Sequence, residues 1–484
     1  MPLRGPDPSW GTTWLVGAAS LGLFLFFASG HVQTIDIAQS IAVSQRIVID
    51  HTVSIVGFPE AAGGGAVRGR GGELYSTHDI GMALVFLPIS ALADWGVISW
   101  SAASVAYTAV NPLFGAAAVA IVYRFAWRLS HNSIAAVSTA FLLAGCTYLL
   151  PYARVSFDSV PTATFVVGAA YAAWRGVTTG DLRRVGAAGV LGGAAILVRT
   201  DSVVLLGAIT IWVAWASRRN GLTRVLTMWS LPLVMAGLVN AWFNWQRYGH
   251  VFDTGHGDDP QTAFTGDVLE GFAGQLVSPG KGLLFFAPPI VLAVIGWRQM
   301  IRHDRAFGSA LLVGSAVYLL VFASIANWSG ADAVGPRFAV PVVVLLWAPI
   351  VFVLGNWSRY GAAAKSAIVA VCVAGALVQI GLATTDDAAI TRMHDNRLHL
   401  EPYQSSQIIS SWHAAWDGVR GRPPYPPSAW DPVDHTPAPR FDLWWTGASP
   451  PITNLSIARV VALMMAVGAV AAGSTALRRG RTNR

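Results

Sequence analysis

The feature that most constrains this chain is the recurrence of apolar runs from which charge is almost excluded. They fall at about 12–29, 104–126, 133–150, 159–174, 185–198, 202–216, 225–243, 282–297, 307–325, 338–355, 366–383 and 456–477. A helix rises about 1.5 Å per residue, so about 20 residues cross a hydrocarbon core of about 30 Å. Of the 484 residues, 12% are charged and 54% hydrophobic, whereas a soluble domain carries about 25% charge. Charge is scarce because Asp, Lys or Arg costs roughly 2.5–3.5 kcal/mol at mid-bilayer. A soluble enzyme, a disordered chain and a secreted disulfide scaffold are excluded. Cys146 and Cys372 both lie in apolar runs, which predicts neither a disulfide frame nor a cysteine metal site. The expected fold class is an all-α polytopic membrane protein with about 12 transmembrane helices.

The formal net charge is +7, yet Arg sits mainly at the ends of apolar runs, so membrane topology explains the charge and no nucleic-acid partner is expected. The first run ends in Ala28-Ser29-Gly30, as a signal peptide would, but a basic leader is nearly absent, and the run is read as an anchor. With the N-terminus inside, the inner turns collect Arg124, Arg128, Arg175, Arg183, Arg184, Arg218, Arg219, Arg224, Arg298, Arg302, Arg305, Arg359 and Lys365, and a basic tail follows. Nearly all carboxylates then lie outside, so any chemistry faces outward from a cytoplasmic (inner) membrane.

Three long outer segments follow, 30–103, 244–281 and 384–455. Residues 1–383 are read as the catalytic transmembrane module, 384–455 as an extracytoplasmic Pro/Trp-rich segment, and 456–484 as a last helix with a cytoplasmic tail. In the first outer loop, Asp36–Asp50 reads as an interfacial helix with a polar arc of Asp36, Gln39, Ser40, Arg46 and Asp50. Ile80–Leu92 is apolar but only about 20 Å long as a helix, so it should lie in the interface or dip in and return. Ala61–Gly72 reads as a mobile Gly-rich loop. The 384–455 segment, with Arg422-Pro-Pro-Tyr-Pro-Pro, is expected to be mostly extended, because proline locks φ and lacks a donor. Trp444 and Trp445 fit an aromatic belt.

The candidate chemistry gathers at the outer ends of the spans. Asp36 follows the first span, His78-Asp79 opens the short apolar segment, and Arg199, Lys281 and Arg337 stand at outer span ends. A carboxylate facing an electropositive rim suits transfer of a group held by a lipid phosphate: the carboxylate deprotonates an acceptor hydroxyl and the cations stabilise the leaving phosphate. Each residue alone has a plainer reading. Asp36 also reads as a helix cap, Arg199 and Asp201 as a turn-closing pair, Lys281 and Arg337 as snorkelling anchors, and His256 in Thr254-Gly-His-Gly-Asp-Asp259 as a solvated loop residue rather than a ligand.

Several motifs carry a resemblance. Gln33-Thr-Ile-Asp36, Glu73-Leu-Tyr-Ser-Thr-His-Asp-Ile-Gly81 with Leu87-Pro88, Tyr152-Ala-Arg-Val-Ser-Phe-Asp158 and Leu197-Val-Arg-Thr-Asp201 are spread over the first half. Leu276 to Pro288, Trp328 to Phe338 and Asp442-Leu-Trp-Trp complete the set. Together they resemble the GT-C superfamily of polyprenyl-phosphate-dependent membrane glycosyltransferases, which includes protein O-mannosyltransferases and aminoarabinose transferases. Asp79 stands where proline is common in that family. The resemblance implies Asp36 as general base with inversion. It implies a polyprenyl-phosphate-linked sugar donor, with its tail among membrane lipids and its phosphate near Lys281, Arg199 or Arg337. Asp158 and His78 would orient substrate, with Asp79, Asp201 and His256 beside them, and the acceptor would be a cell-envelope glycan or lipid. No metal site is assigned, and relatives differ in whether they use a divalent cation. The alternative reading is a multi-pass transporter or lipid-linked-sugar flippase; against it, charges avoid span centres and the two halves do not resemble each other.

Overall fold

The structure, a computed structural model, describes residues 8–58, 65–219, 221–257, 262–330, 333–394, 406–429, 438–446 and 455–482. It begins with α1 (Trp10–Phe27), α2 (Ile35–Ile49), α3 (Ile80–Asp94), α4 (Trp100–Thr108), α5 (Val110–Ser130), α6 (Ser133–Cys146) and α7 (Leu149–Arg154). Next come α8 (Ser159–Thr179), α9 (Leu182–Val198), α10 (Val203–Ser217), α11 (Leu222–Tyr248), α12 (Val268–Val277), α13 (Leu283–Phe286) and α14 (Ile290–His303). The chain closes with α15 (Arg305–Ala323), α16 (Val340–Leu346), α17 (Ile350–Gly355), α18 (Ala362–Thr384), α19 (Asp387–Arg392), α20 (Gln407–Val419) and α21 (Leu455–Thr482). Every predicted apolar run is helical over most of its length. Among the described residues, six helical stretches are long and apolar enough to cross a membrane: Trp100–Ser130, Thr200–Ser217, Leu222–Tyr248, Arg305–Ala323, Ala362–Thr384 and Leu455–Gly480. This is a multi-pass membrane protein. Two other predicted spans are broken, at Ala287-Pro288-Pro289 and at Trp347-Ala348-Pro349, because proline lacks an N–H and disfavours helical backbone before it.

Helix α9 packs closely on both α8 and α11, while α1 lies between α5 and α21. Small residues permit this approach, as lipid supplies no hydrophobic drive and packing must do the work. The interior is filled by rings: Trp174 stacks on Phe307 at 5.8 Å, and Trp347 donates its indole N–H to the Thr139 carbonyl at 2.9 Å. Apolar side chains such as Ile211, Leu231, Val234 and Leu238 stay exposed on the helix exteriors, where acyl chains replace water.

The outer segments differ from expectation in three places. The polar arc of α2 does not face water throughout: Gln39, Ser40 and Ser44 are buried, and Ser44 meets Ser90 of α3 at 2.6 Å, which in turn meets Tyr107 at 2.8 Å. Helix α2 is thus packed into protein on its apolar and part of its polar side. The Gly-rich stretch is partly ordered as a small antiparallel hairpin of β1 (Val67–Arg68) and β2 (Leu74–Tyr75); residues 59–64 lie outside the described residues. Among its described residues the 384–455 segment is not mostly extended, since these include α19 and α20. Helix α20 occupies a proline-free stretch, and its N-cap Ser406 accepts from the Ile409 amide. Composition averaged over the whole segment conceals it.

A buried ion pair ties this segment to the bundle. Arg154 at the end of α7 donates to both Asp442 carboxylate and carbonyl, at 2.6 and 2.7 Å, and to the Thr385 carbonyl at 2.9 Å. His31 meets the same carboxylate at 2.8 Å, and Gln33 donates to it. Burial would raise the Asp442 pKa, but Arg154 and His31 outweigh it and bring it down to about 2. Just beyond, Trp444 and Trp445 donate their indole N–H groups to the Leu25 and Phe26 carbonyls. They thereby close the exposed C-terminal end of α1. Asp442→Ala leaves Arg154 buried and unpaired and should cost about 3–5 kcal/mol, read as a lower thermal midpoint in detergent. The double variant Arg154→Met with Asp442→Leu should regain most of it; no recovery would mean that the two charges are not coupled.

Candidate active site

Asp36 lies in the first turn of α2, where the helix dipole favours a carboxylate. Its Oδ1 is 3.4 Å from His78 Nε2 and its Oδ2 is 3.9 Å from Arg337 Nη2. His78 reaches it because the loop between β2 and α3 is clamped from α11. Buried Arg247 donates to the Ser76 carbonyl and, at 2.9 Å, to the His78 carbonyl, while Tyr248 Oη donates to Ser76 at 2.9 Å. Burial pushes the Asp36 pKa up, but the charges of His78, Arg337 and Arg199 prevail and hold it well below the usual carboxylate range. His78 moves the other way: burial lowers its pKa, and the Asp36 carboxylate more than restores it, leaving it raised.

The turn between α9 and α10 forms the next wall. Arg199 Nη1 lies 3.3 Å from the Asp158 carboxylate, Arg199 Nε donates to Asp201 Oδ2 at 2.9 Å, and Nη2 donates to the same oxygen. Tyr318 donates to Asp201 Oδ1 at 3.3 Å, and the guanidinium lies over the rings of Phe322 and Phe338. Asp79 accepts from the Thr200 amide at 2.6 Å. Its burial, only partly offset by that bond, raises its pKa to about 6. Gly81 makes this contact reachable: a Cβ there would collide with the Leu197–Val198 backbone, so only glycine lets α3 abut the end of α9.

Arg337 closes the site from the loop between α15 and α16. Its guanidinium lies over Phe157 and Phe338, and its Nε is buried without a hydrogen-bond partner. Whereas Arg199 is held by two carboxylates, Arg337 has, among the described residues, only the longer contact to Asp36. Lys281 is buried and donates to the Ala333 carbonyl, four residues before Arg337, and Tyr152 Oη donates to Val334 at 2.8 Å. Gly335, at φ +53°, donates its amide to Gln407 of α20 at 3.0 Å. The His256 ring lies 6.5 Å from that of His78. The acids considered with His256, Asp258 and Asp259, lie outside the described residues. Among the described residues, no group of three His, Cys, Asp or Glu is placed to hold a metal ion.

The structure thus brings Asp36, His78, Asp158, Arg199, Asp201 and Arg337 into one cluster, with Asp79 and His256 at its margin. Lys281 holds the loop that carries Arg337. Sequence reasoning missed Arg247, Tyr318, and the Arg154–Asp442 pair. Arg247 had a signal, a cation at the outer end of an apolar run like Arg199, Lys281 and Arg337; Tyr318, within an apolar run, had none. Chemically, the cluster offers an ionised carboxylate to receive a proton and a nearby guanidinium with unused donors for an anion.

The same arrangement of helices occurs in solved structures. ArnT from Cupriavidus metallidurans in the apo state aligns with a TM-score of 0.52 and 13% identity over 97% of this chain and 75% of that one. The chain has a GT-C-like fold. ArnT bound to undecaprenyl phosphate aligns at TM-score 0.49 and 14% identity, over 82% of this chain and 74% of that one. The arabinosyltransferase EmbB from Mycobacterium smegmatis aligns at 0.46 and 12%, over 98% of this chain and 42% of that one. No family model and no curated protein sequence matches the chain.

The His78–Asp36 pair sets a pH window. Asp36, lowered, contributes above its ordinary 3.8 and loses that contribution as pH falls through its lower folded value. His78, raised, contributes fully below its ordinary 6.5 and loses it as pH rises through its higher folded value. Asp36→Asn should therefore lower the His78 pKa, because burial and Arg337 are then opposed only by the weaker pull of Asp158. NMR titration of labelled histidine checks this; an unchanged His78 pKa would show that the carboxylate does not govern it.

Proposed function

We propose that this protein is a membrane glycosyltransferase that moves a sugar from a polyprenyl-phosphate donor onto a hydroxyl of an extracytoplasmic cell-envelope glycan or lipid. The observation that carries the reading is Asp36, ionised and partly exposed, 3.9 Å from an arginine whose Nε has no hydrogen-bond partner. A GT-C-like fold agrees with it, and ArnT, which shares that fold, has been captured with undecaprenyl phosphate.

In this reading the donor phosphate docks against Arg337, with Lys281 supporting its loop and Arg199 adding field from its fixed position. Asp158 and Asp201 hold Arg199, and His78, Asp79 and His256 orient the substrates. Docking also tunes the base. A carboxylate held far below its ordinary pKa is a weak base, and a phosphate that takes up the charge of Arg337 relieves part of that pull. The acceptor O–H then gives its proton to Asp36, its oxygen bonds to the anomeric carbon, and the carbon–oxygen bond to phosphate breaks on the opposite face. One displacement inverts the centre. The leaving polyprenyl phosphate carries the electron pair, stabilised by Arg337. The site opens outward from the inner membrane, with residues 1–383 as the catalytic module and 384–455 as an extracytoplasmic segment.

The test is release of free polyprenyl phosphate in proteoliposomes supplied with a panel of polyprenyl-phosphate pentoses and hexoses and envelope acceptor extract. Wild type should release it from at least one donor. Asp36→Asn should lower the rate by about 10²–10⁴-fold, the usual reach of general-base catalysis. Arg337→Gln should lower it by about 10²–10³-fold, as for loss of one transition-state donor. Undiminished release by Asp36→Asn would remove Asp36 as base, and donor binding without any transfer would favour a flippase.

A further inference from the structure

The candidate active site occupies one end of the bundle, and a second cavity lies at the other. Asp158 precedes α8 and Arg199 follows α9, so the turn joining α8 to α9 lies about 30 Å away along the 21 residues of α8. Helix α10 starts beside Asp201 and α11 ends at Arg247, so their connecting turn lies at the same far end. Between the two turns is a cavity of about 460 Å³, lined in part by Thr178, Leu182, Val185, Ser217, Arg224 and Val225.

Its chemistry is that of an anion site. Ser217, the last residue of α10, is 3% exposed, and its hydroxyl has no hydrogen-bond partner. Neighbouring hydroxyls are spent on their own helix: Thr178 donates to Trp174 at 2.6 Å and Thr179 to Arg175 at 2.7 Å. Helix α11 starts after the N-cap Gly221, which has no side chain to cap it, so among the described residues no side chain meets the amides of its first turn. The adjacent start of α9 is closed by contrast, because Asp181 accepts from the Arg183 and Arg184 amides at 3.0 and 3.3 Å. Asp181 is also engaged by Arg184 at 3.1 Å. Arg224 is exposed on the cavity wall and pairs with no carboxylate among the described residues.

We propose that this cavity binds the phosphate headgroup of an anionic phospholipid from the membrane leaflet opposite the candidate active site. The α11 amides and Ser217 Oγ donate to the phosphate, and Arg224 balances its charge. The occupant is a lipid rather than a soluble anion because Leu182, Val185 and Val225 give the cavity apolar walls, between helices whose outer faces are lipid-like. Nearby Trp215 is 53% exposed, with Arg218 over its ring at 4.3 Å, the pairing of an aromatic and a cation found at a membrane–water boundary.

The test uses the full-length protein in detergent, titrated with short-chain phosphatidylglycerol, phosphatidylcholine of equal chain length, and glycerol phosphate, with binding read by native mass spectrometry. Phosphatidylglycerol should bind saturably and about tenfold more tightly than either control. Arg224→Gln, on an exposed residue that folding does not need, should weaken that binding about fivefold, the usual worth of one arginine against an anionic lipid. Ser217→Ala should weaken it too, and Arg359→Gln, in another basic turn, should leave it unchanged. Equal binding of glycerol phosphate would overturn the lipid assignment. Equal weakening by Arg359→Gln, or none by Arg224→Gln, would overturn the site. None of these readouts involves sugar transfer, so the outcome is independent of the catalytic reading.

Discussion

Arg199 holds the outer end of the bundle together. Its guanidinium joins Asp158 at the start of α8 to Asp201 at the start of α10, from its own place at the end of α9. In a medium where an unpaired charge is expensive, this arrangement fixes three helix ends at once. The Thr200 amide, held out by the same turn, meets Asp79, and so positions the start of α3 and His78 beside it. Arg247 fixes the His78 backbone from α11. The position of His78 against Asp36 is therefore determined by contacts made outside the pair itself, as preorganised chemistry requires.

That pairing divides the cations by role. Arg199 is satisfied by two carboxylates and a pair of aromatic rings, and moving it would expose both acids. Arg337 is packed by Phe157 and Phe338 but keeps donors in reserve. A fixed charge that shapes the field and an available charge that can meet a ligand are different devices, and sequence shows both only as arginine at a span end. Lys281 is a third case, since its ammonium is spent inside the protein on the loop that carries Arg337.

Periodicity and hydropathy located every long helix, because burial in lipid writes itself into each stretch of chain locally. They also placed Asp36 at a helix start and Arg199 at a short hairpin tip. What they could not supply is the partner of each charge. Arg154 and Asp442 are 288 residues apart, and nothing local in either segment marks the other. The α2 arc shows a related limit: spacing separates a polar from an apolar side, but only the arrival of α3 decides that Ser44 faces Ser90 rather than water. Helix α20 was hidden for a third reason, since the prolines on its C-terminal side dominate the composition of the segment without entering the helix.

The two ends of the bundle answer the same physical problem in opposite ways. Helices α8 to α11 run from one to the other, so each contributes a terminus to both. At the active-site end, acids and arginines are buried together and neutralise one another, which keeps the geometry rigid and leaves Asp36 and Arg337 as the groups not fully consumed. At the far end Arg175 is buried, but Arg183, Arg218, Arg219 and Arg224 stand at the surface, where water can meet them and their spacing is free to be loose. Rigid pairing suits a reaction whose atoms must align, while exposed cations suit a boundary that must tolerate a fluid partner. Arg199 and Arg224 therefore differ in burial and partner, although both are single arginines flanking apolar helices of the same bundle.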